Sequence, residues 1–266
     1  MKVSIIIPTF NKIEMLDLCL HCVLATVPGG TEIIVVDDGS TDDTGELPVF
    51  QSEPIRLLIN DHNLGFALSC NRGALLARGE IIVFLNNDTM AKGGWLEKGL
   101  EPFAQEDAGI VGSKLLYPDE TIQHGGIRFA PYKGHALYPC HASRLKKDDG
   151  ITEPREVEAV TGACMFIRRK LFVEHGGFDK AFPAYFCDTD LCLRVRERGT
   201  RIIYQPHSIL THIESASYGL CCTHYDDAER VFFERWTDDR IRKCPPLGSL
   251  LEAGEQRGFS VTVPFL

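Results

Sequence analysis

Apolar residues in this chain fall first into short, unbroken runs rich in β-branched side chains. Val3–Ile7, Glu32–Val36, Ile55–Ile59 and Glu80–Leu85 each read as a buried strand. Between them the spacing turns helical. Glu14–Ala25 puts Leu16, Leu20, Val23 and Leu24 on one face, and Gly65–Arg78 follows a candidate cap at Asn63 and stops at Gly79. Strand, helix, strand repeated in this way predicts a parallel sheet with right-handed crossovers.

The rhythm breaks after about Gly112. His135–Pro154 is polar, charged and aperiodic, and reads as an exposed loop. Regular signals return at Val157–Arg168, in a helix over Asp188–Arg198 capped by Gly199, and at Arg201–Gln205. The expected architecture is one α/β unit of residues 1–236, whose first half (1–112) is Rossmann-like and whose second half (113–236) is α+β on the same sheet. Residues 237–266 form a tail rich in Pro, Gly and charge with no readable pattern.

Charge narrows the ligand class. With 37 acidic against 28 basic side chains the formal charge is -9, which gives no electrostatic footprint for nucleic acid. A phosphate-bearing ligand would need local basic groups, backbone donors or a bound cation. No apolar run approaches the roughly 20 residues of a spanning helix, and the first run is too short for a signal segment. The ten cysteines are irregularly spaced and read as free thiols. The expectation is a soluble cytoplasmic protein without a transmembrane segment, able to dock peripherally at the inner face of a membrane.

In an open parallel sheet, ligands bind beyond the carboxyl ends of the strands. There the chain places Pro8-Thr9-Phe10-Asn11, Asp37-Asp38-Gly39-Ser40 and Asn86-Asn87-Asp88. Such residues favour turns in any protein, but three carboxylate- and amide-bearing loops on one edge also suit a hard cation or acid/base chemistry. Asp188, where a helix starts, is either an N-cap or a base whose ionised form the helix dipole favours; Asp190 reads as a first-turn partner of that dipole. Cys19-Leu20-His21-Cys22 falls inside a helix and lacks a second pair, so it reads as packing rather than redox or zinc chemistry. P-loop, dinucleotide-binding and serine-elbow motifs are missing.

Ser4-Ile5-Ile6-Ile7-Pro8-Thr9-Phe10-Asn11, Glu32 to Asp42, Asn63-Leu64-Gly65-Phe66 and Leu85-Asn86-Asn87-Asp88-Thr89 together resemble the opening of family 2 glycosyltransferases. Val160 to Met165, Gly176-Gly177-Phe178-Asp179 and Asp188 to Arg194 are similar to that family's acceptor-side motifs, so the resemblance runs from about Lys2 to Trp236. It implies a GT-A fold and an inverting transfer from a nucleotide diphosphate sugar to an acceptor hydroxyl on a glycan, lipid-linked or protein acceptor. The donor site implied is Pro8, Thr9, Phe10, Asp38, Asn63, Gly65, Asn86 and Asn87. Asp88 and His212 are implied as ligands of Mn2+ or Mg2+, with His207 competing for the histidine's place. Asp188 is implied as the base, and Thr161, Gly162, Ala163 and Cys187 as the sugar or acceptor pocket.

Cys187 stands where the family usually has glutamate. Arg235-Trp236 keeps only the end of the Gln-x-x-Arg-Trp motif of processive synthases, which favours addition of single sugars. Gln123-His124-Gly125-Gly126 resembles a segment of bacterial surface-polysaccharide enzymes, including rhamnosyltransferases. Two other readings stay open: a binding protein that keeps the nucleotide crevice without catalysis, and a sugar nucleotidyltransferase. The second lacks its glycine-rich basic loop after the first strand.

Overall fold

The computed structural model describes residues 1–52, 55–148, 150–213 and 225–244. Twelve strands form: β1 (Val3–Thr9), β2 (Glu32–Asp37), β3 (Ile55–Ile59), β4 (Ile81–Leu85), β5 (Thr89–Ala91), β6 (Ala108–Leu116), β7 (Ile122–His124), β8 (Ile127–Tyr132), β9 (His135–His141), β10 (Arg155–Glu156), β11 (Cys164–Arg168) and β12 (Arg201–His212). The helices are α1 (Ile13–Thr26), α2 (Val49–Ser52), α3 (Phe66–Leu76), α4 (Trp95–Leu100), α5 (Arg169–Glu174), α6 (Cys187–Arg196), α7 (Tyr225–Arg235) and α8 (Asp238–Lys243).

Strand direction decides where the site lies. The main sheet runs β10-β12-β6-β11-β4-β1-β2-β3, with β5 and β7 on its flank. β1 is parallel to β2 and β4, and β2 to β3. β11 is antiparallel to both β4 and β6, and β12 is parallel to β6, so β12 runs with β4. The carboxyl ends of β1, β2, β4 and β12 and the first residue of β11 therefore open on one edge, the edge at which open α/β sheets bind ligands.

The unbroken apolar runs fill two layers. Ile5, Ile7, Val35 and Val83 face a core shared with Leu16, Leu20 and Trp95, while Ile6, Ile34, Val36 and Phe84 face one shared with Phe172, Phe178, Leu191 and Phe232. Alternation along a strand sends neighbours to opposite faces, and both faces are covered, so neither parity is free to be polar.

Several expectations shift. The link between β2 and β3 holds only a short 3-10 turn (Asp43–Glu46) and α2, not a full crossover helix. α3 begins at Phe66 with Gly65 as its cap; Asn63 Oδ1 accepts from Gly65 N at 3.1 Å, one step before the helix. The supposed loop at 135–154 opens with β9, which pairs with β8 and buries Tyr138 and Cys140. Its aperiodicity misled because a two-stranded ribbon packed on helices needs only a few inward residues. Of the tail, Asp238–Lys243 forms α8, and residues 245–266 lie outside the described residues. Eight cysteines are free; Cys221 and Cys222 lie outside the described residues.

Candidate functional site

The loops after β1 and β2 are tied together before any ligand arrives. Asn11 N donates to Ser40 Oγ at 2.7 Å, Thr41 N to Asn11 Oδ1 at 2.8 Å, and Ser40 N to Asp37 Oδ1 at 2.9 Å. Asp37 thus serves the turn, as its residue type suggests. Asp38 does something else. Its Oδ1 accepts from Asn60 Nδ2 at 2.6 Å and Leu64 N at 2.8 Å, and its Oδ2 from Gly65 N at 2.8 Å. Those bonds carry the 63–65 loop to the rim and use three of about four carboxylate lone-pair sites. Gly65 has φ +85, and a Cβ there would lie 2.9 Å from Pro183 O, so this crossing requires glycine. Pro8 and Thr9 are buried at the end of β1, Phe10 is half-buried and Asn63 is exposed.

Beyond β4, Asn87 Nδ2 donates to Thr9 Oγ1 at 2.8 Å, joining this loop to the first. Asn86 N donates to Ala163 O at 3.0 Å, and Asn86 Nδ2 meets His212 Nε2 at 3.2 Å. His212 Nε2 also lies 3.0 Å from Asp88 Oδ1, with both residues under a tenth exposed. His207, its rival in the sequence, turns away and bonds Thr152 O at 2.8 Å.

Hydrogen-bond roles fix the His212 tautomer. Gln123 Oε1 sits 2.6 Å from His212 Nδ1, and Gln123 Nε2 donates to His212 O at 3.3 Å. Nδ1 therefore carries a proton, and in the neutral ring Nε2 offers a lone pair beside a carboxylate oxygen. A neutral imidazole can hold that contact when a positive charge lies between the two acceptors. Ligands at right angles about 2.1 Å from a hard cation are themselves about 3 Å apart, so the pair fits Mn2+ or Mg2+. No group of three or more His, Cys, Asp or Glu side chains gathers for a metal among the described residues. Such an ion would take its remaining ligands from water or phosphate oxygens, as small hard cations usually do.

The third section of the rim is the 161–163 turn against α6. Gly162 N donates to Asp188 Oδ2 at 2.8 Å, and Thr189 N and Oγ1 reach Asp188 Oδ1 at 2.7 and 3.3 Å. A Cβ on Gly162 would lie 3.1 Å from the Phe66 ring and 3.6 Å from Asp188 Cβ. The cap position belongs to Phe186, at φ 63, which leaves Asp188 inside the first helical turn. Burial raises the Asp188 carboxyl above its ordinary value, against the opposing pull of the Gly162 and Thr189 hydrogen bonds. Desolvation outweighs the amides at the helix start, so this carboxyl holds its proton more tightly than an ordinary aspartate.

Cys187 is buried, its thiol 3.8 Å from Ala184 O, and burial holds it well above the usual thiol range. It is a neutral packing group. Asp190 is fully buried and binds Arg194 at 2.8 Å, Arg235 at 2.9 Å and Trp236 Nε1 at 2.9 Å. The Arg-Trp pair thus clamps α6 from α7, and Asp190 is a tertiary anchor more than a dipole partner. Cys19, buried against Asn86 O and Thr89 Oγ1 with its pKa pushed up to about 12, is also a packing residue.

These contacts join in one circuit: Asp38 to Gly65, Phe66 to Gly162, Gly162 to Asp188, Ala163 to Asn86, Asn87 to Thr9. Beside it opens a cavity of about 100 Å3 lined by Gln123, His141, Arg144, Thr161 and His212. His141 and Arg144 escaped the sequence because they sit in the aperiodic stretch; Gln123 carried a faint signal in its Gln-His-Gly-Gly context.

A family model described as Glycosyl transferase family 2 matches residues 4–176. The uncharacterized protein y4gI of Sinorhizobium fredii is 35% identical over 91% of this chain and 27% of its own length. The O-antigen biosynthesis protein RfbC of Myxococcus xanthus is 33% identical over 81% of this chain and 18% of its own. The chain therefore spans about a quarter or less of these curated relatives. The crystal structure of GalNAc-T7 with UDP, GalNAc and Mn2+ superposes with a TM-score of 0.72 at 18% identity, over 90% of this chain and 48% of that one.

Proposed function

Because the chain belongs to glycosyl transferase family 2 and has the GT-A fold, we propose that it moves a sugar from a UDP- or dTDP-type diphosphate donor to an acceptor hydroxyl, with inversion at the anomeric carbon. The observation that carries this reading is the circuit of hydrogen bonds, closed by the Phe66 ring against Gly162, that links Asp38, the Asp88–His212 pair and Asp188 along one sheet edge.

Pro8, Thr9, Phe10 and Asn63 frame the base, and Asp38, held by Gly65 N and its other donors, offers its remaining lone pair on Oδ2 to a base N–H. Asn86 and Asn87 line the path to the diphosphate. Asp88 and His212 would hold the divalent cation, whose chemistry is to neutralise charge on the departing diphosphate. Asp188 accepts the acceptor's hydroxyl proton as its oxygen bonds to the anomeric carbon and the bond from that carbon to the diphosphate breaks. A carboxylate made more basic by burial is suited to that step. Gly162 N and Thr189 N fix its orientation, and Thr161, Ala163 and Cys187 shape the adjoining pocket.

In this reading residues 1–112 carry the donor, 113–236 the acceptor, and 237–266 have no assigned part in the chemistry. The O-antigen relative supports a role in bacterial surface polysaccharide or glycan synthesis, with a glycan, lipid-linked or protein acceptor. No helix among the described residues is long and apolar enough to cross a membrane, which accords with work on the cytoplasmic side, docked peripherally. The test is a thermal-shift screen of nucleotide sugars with and without Mn2+, followed by transfer assays with each donor that binds. Stabilisation by a UDP- or dTDP-sugar that needs the metal supports the reading; no response to any nucleotide sugar rejects it.

A further inference from the structure

An acidic chain that binds a diphosphate can add a local basic group to the bound cation. The cavity next to His212 contains one. Of its lining residues Gln123, His141, Arg144, Thr161 and His212, only Arg144 bears a permanent charge. His141 meets His124 Nδ1 to Nδ1 at 2.8 Å, a contact that needs at least one neutral imidazole. Burial lowers both, His141 to about 4, so neither adds charge at neutral pH.

The turn carrying Arg144 is strained. Ser143 and Leu145, which flank it, both have φ of 62, a left-handed conformation uncommon for residues other than glycine. The strain is held by Ala142 N to Gly126 O at 2.8 Å, Leu145 N to Ile122 O at 2.7 Å and Ile122 N to Lys146 O at 2.7 Å. On its way to the cavity the guanidinium is braced by Nε donating to Tyr117 Oη at 2.7 Å. The cavity, about 100 Å3, sets Arg144 alongside His212 and Gln123.

We infer that Arg144, aimed by this turn, binds the donor's sugar-bearing β-phosphate beside the Asp88–His212 pair and stabilises the leaving diphosphate. The inference rests on the transferase reading for the identity of the anion, but the anion site itself can be tested without a sugar. Calorimetry with inorganic pyrophosphate and Mg2+ should show Arg144→Gln binding at least about tenfold weaker than wild type, with Arg144→Lys recovering part of the loss. The same loss is expected for UDP or dTDP and not for the monophosphates, which lack the terminal group.

In wild-type protein, pyrophosphate should shield Arg144 from phenylglyoxal, read by mass spectrometry of its peptide; this arm holds even if the variants do not fold. An Arg144→Gln protein with wild-type melting and wild-type affinities, or an Arg144 modified at the same rate with and without pyrophosphate, overturns the inference. Wild type that binds pyrophosphate through Arg144 but no nucleotide sugar supports the anion site and removes the transferase reading. Nucleotide-sugar binding indifferent to Arg144 does the reverse.

Discussion

Asp38 and Asp188 belong to the same circuit, yet their surroundings differ in kind. Asp38 accepts from a side-chain amide and two backbone amides of the neighbouring 60–65 segment, so its charge is spread over donors close in sequence. Asp188 takes two donors from Thr189 of its own helix and a third from Gly162, and burial raises its basicity in spite of them. The first arrangement is a carboxylate whose donors organise a loop. The second builds a carboxylate that can change protonation state. The same side chain becomes a loop-holding strut or a more basic carboxylate according to what surrounds it.

The sharpest way to break this contrast is Asp188→Asn. Transfer should fall by about two to four orders of magnitude while nucleotide affinity stays near wild type, measured by single-turnover assay and calorimetry. Normal turnover in that variant would remove Asp188 from the chemistry. Chelating the divalent ion should likewise stop transfer and restore it on adding Mn2+. Gln123→Ala, which frees the His212 Nδ1 proton from its acceptor, should raise the metal concentration needed by about 10–100-fold. An unchanged metal titration would detach Gln123 from the site.

A third carboxylate sharpens the comparison from the stability side. Asp190→Ala removes the acceptor shared by Arg194, Arg235 and Trp236 Nε1, and because Arg235 keeps Asp179 and Arg194 keeps the His175 and Gly177 carbonyls the loss should sit at the low end of the range for broken buried pairs, about 3 kcal/mol by urea unfolding. Asp38→Ala should destabilise less, about 1–3 kcal/mol, because two of its three donors, Leu64 N and Gly65 N, are only part-buried and can rehydrate.

For Asp188 the sign is opposite. Its folded pKa is raised, so the folded state binds the proton more tightly than the unfolded one; the stabilisation is complete below the ordinary aspartate pKa of about 4 and lost as pH rises through the folded value. Asp188→Asn should therefore melt higher than wild type at pH 7, with the gap closing in acid, and wild-type activity should fall on acidification at a higher pH than an ordinary aspartate would give. The smallest effect is expected at Cys187→Ala, a change in a neutral packing residue of about 1 kcal/mol in stability with transfer largely kept. A collapse of activity there would mean that the thiol touches substrate.

Much of the first half of the chain was legible because its signals are local. The runs at Val3, Glu32, Ile55 and Glu80 became strands, and the polar turns after them were placed on one edge by topology rules alone. The crossover after β2 was over-read, since a 17-residue gap holds the length of a helix without requiring one. Asp190 was under-read for the opposite reason. Position in a first turn is visible in sequence, whereas Arg235 and Trp236 lie 45 and 46 residues away.

What the amino-acid order settles alone is periodicity, turn chemistry and the family motifs, all properties of contiguous residues. Which histidine reaches Asp88, which tautomer Gln123 imposes, why Asp188 is basic and where Arg144 points were decided only on folding. Those outcomes depend on burial and on partners brought together from distant parts of the chain, and neither quantity exists until the sheet edge is assembled.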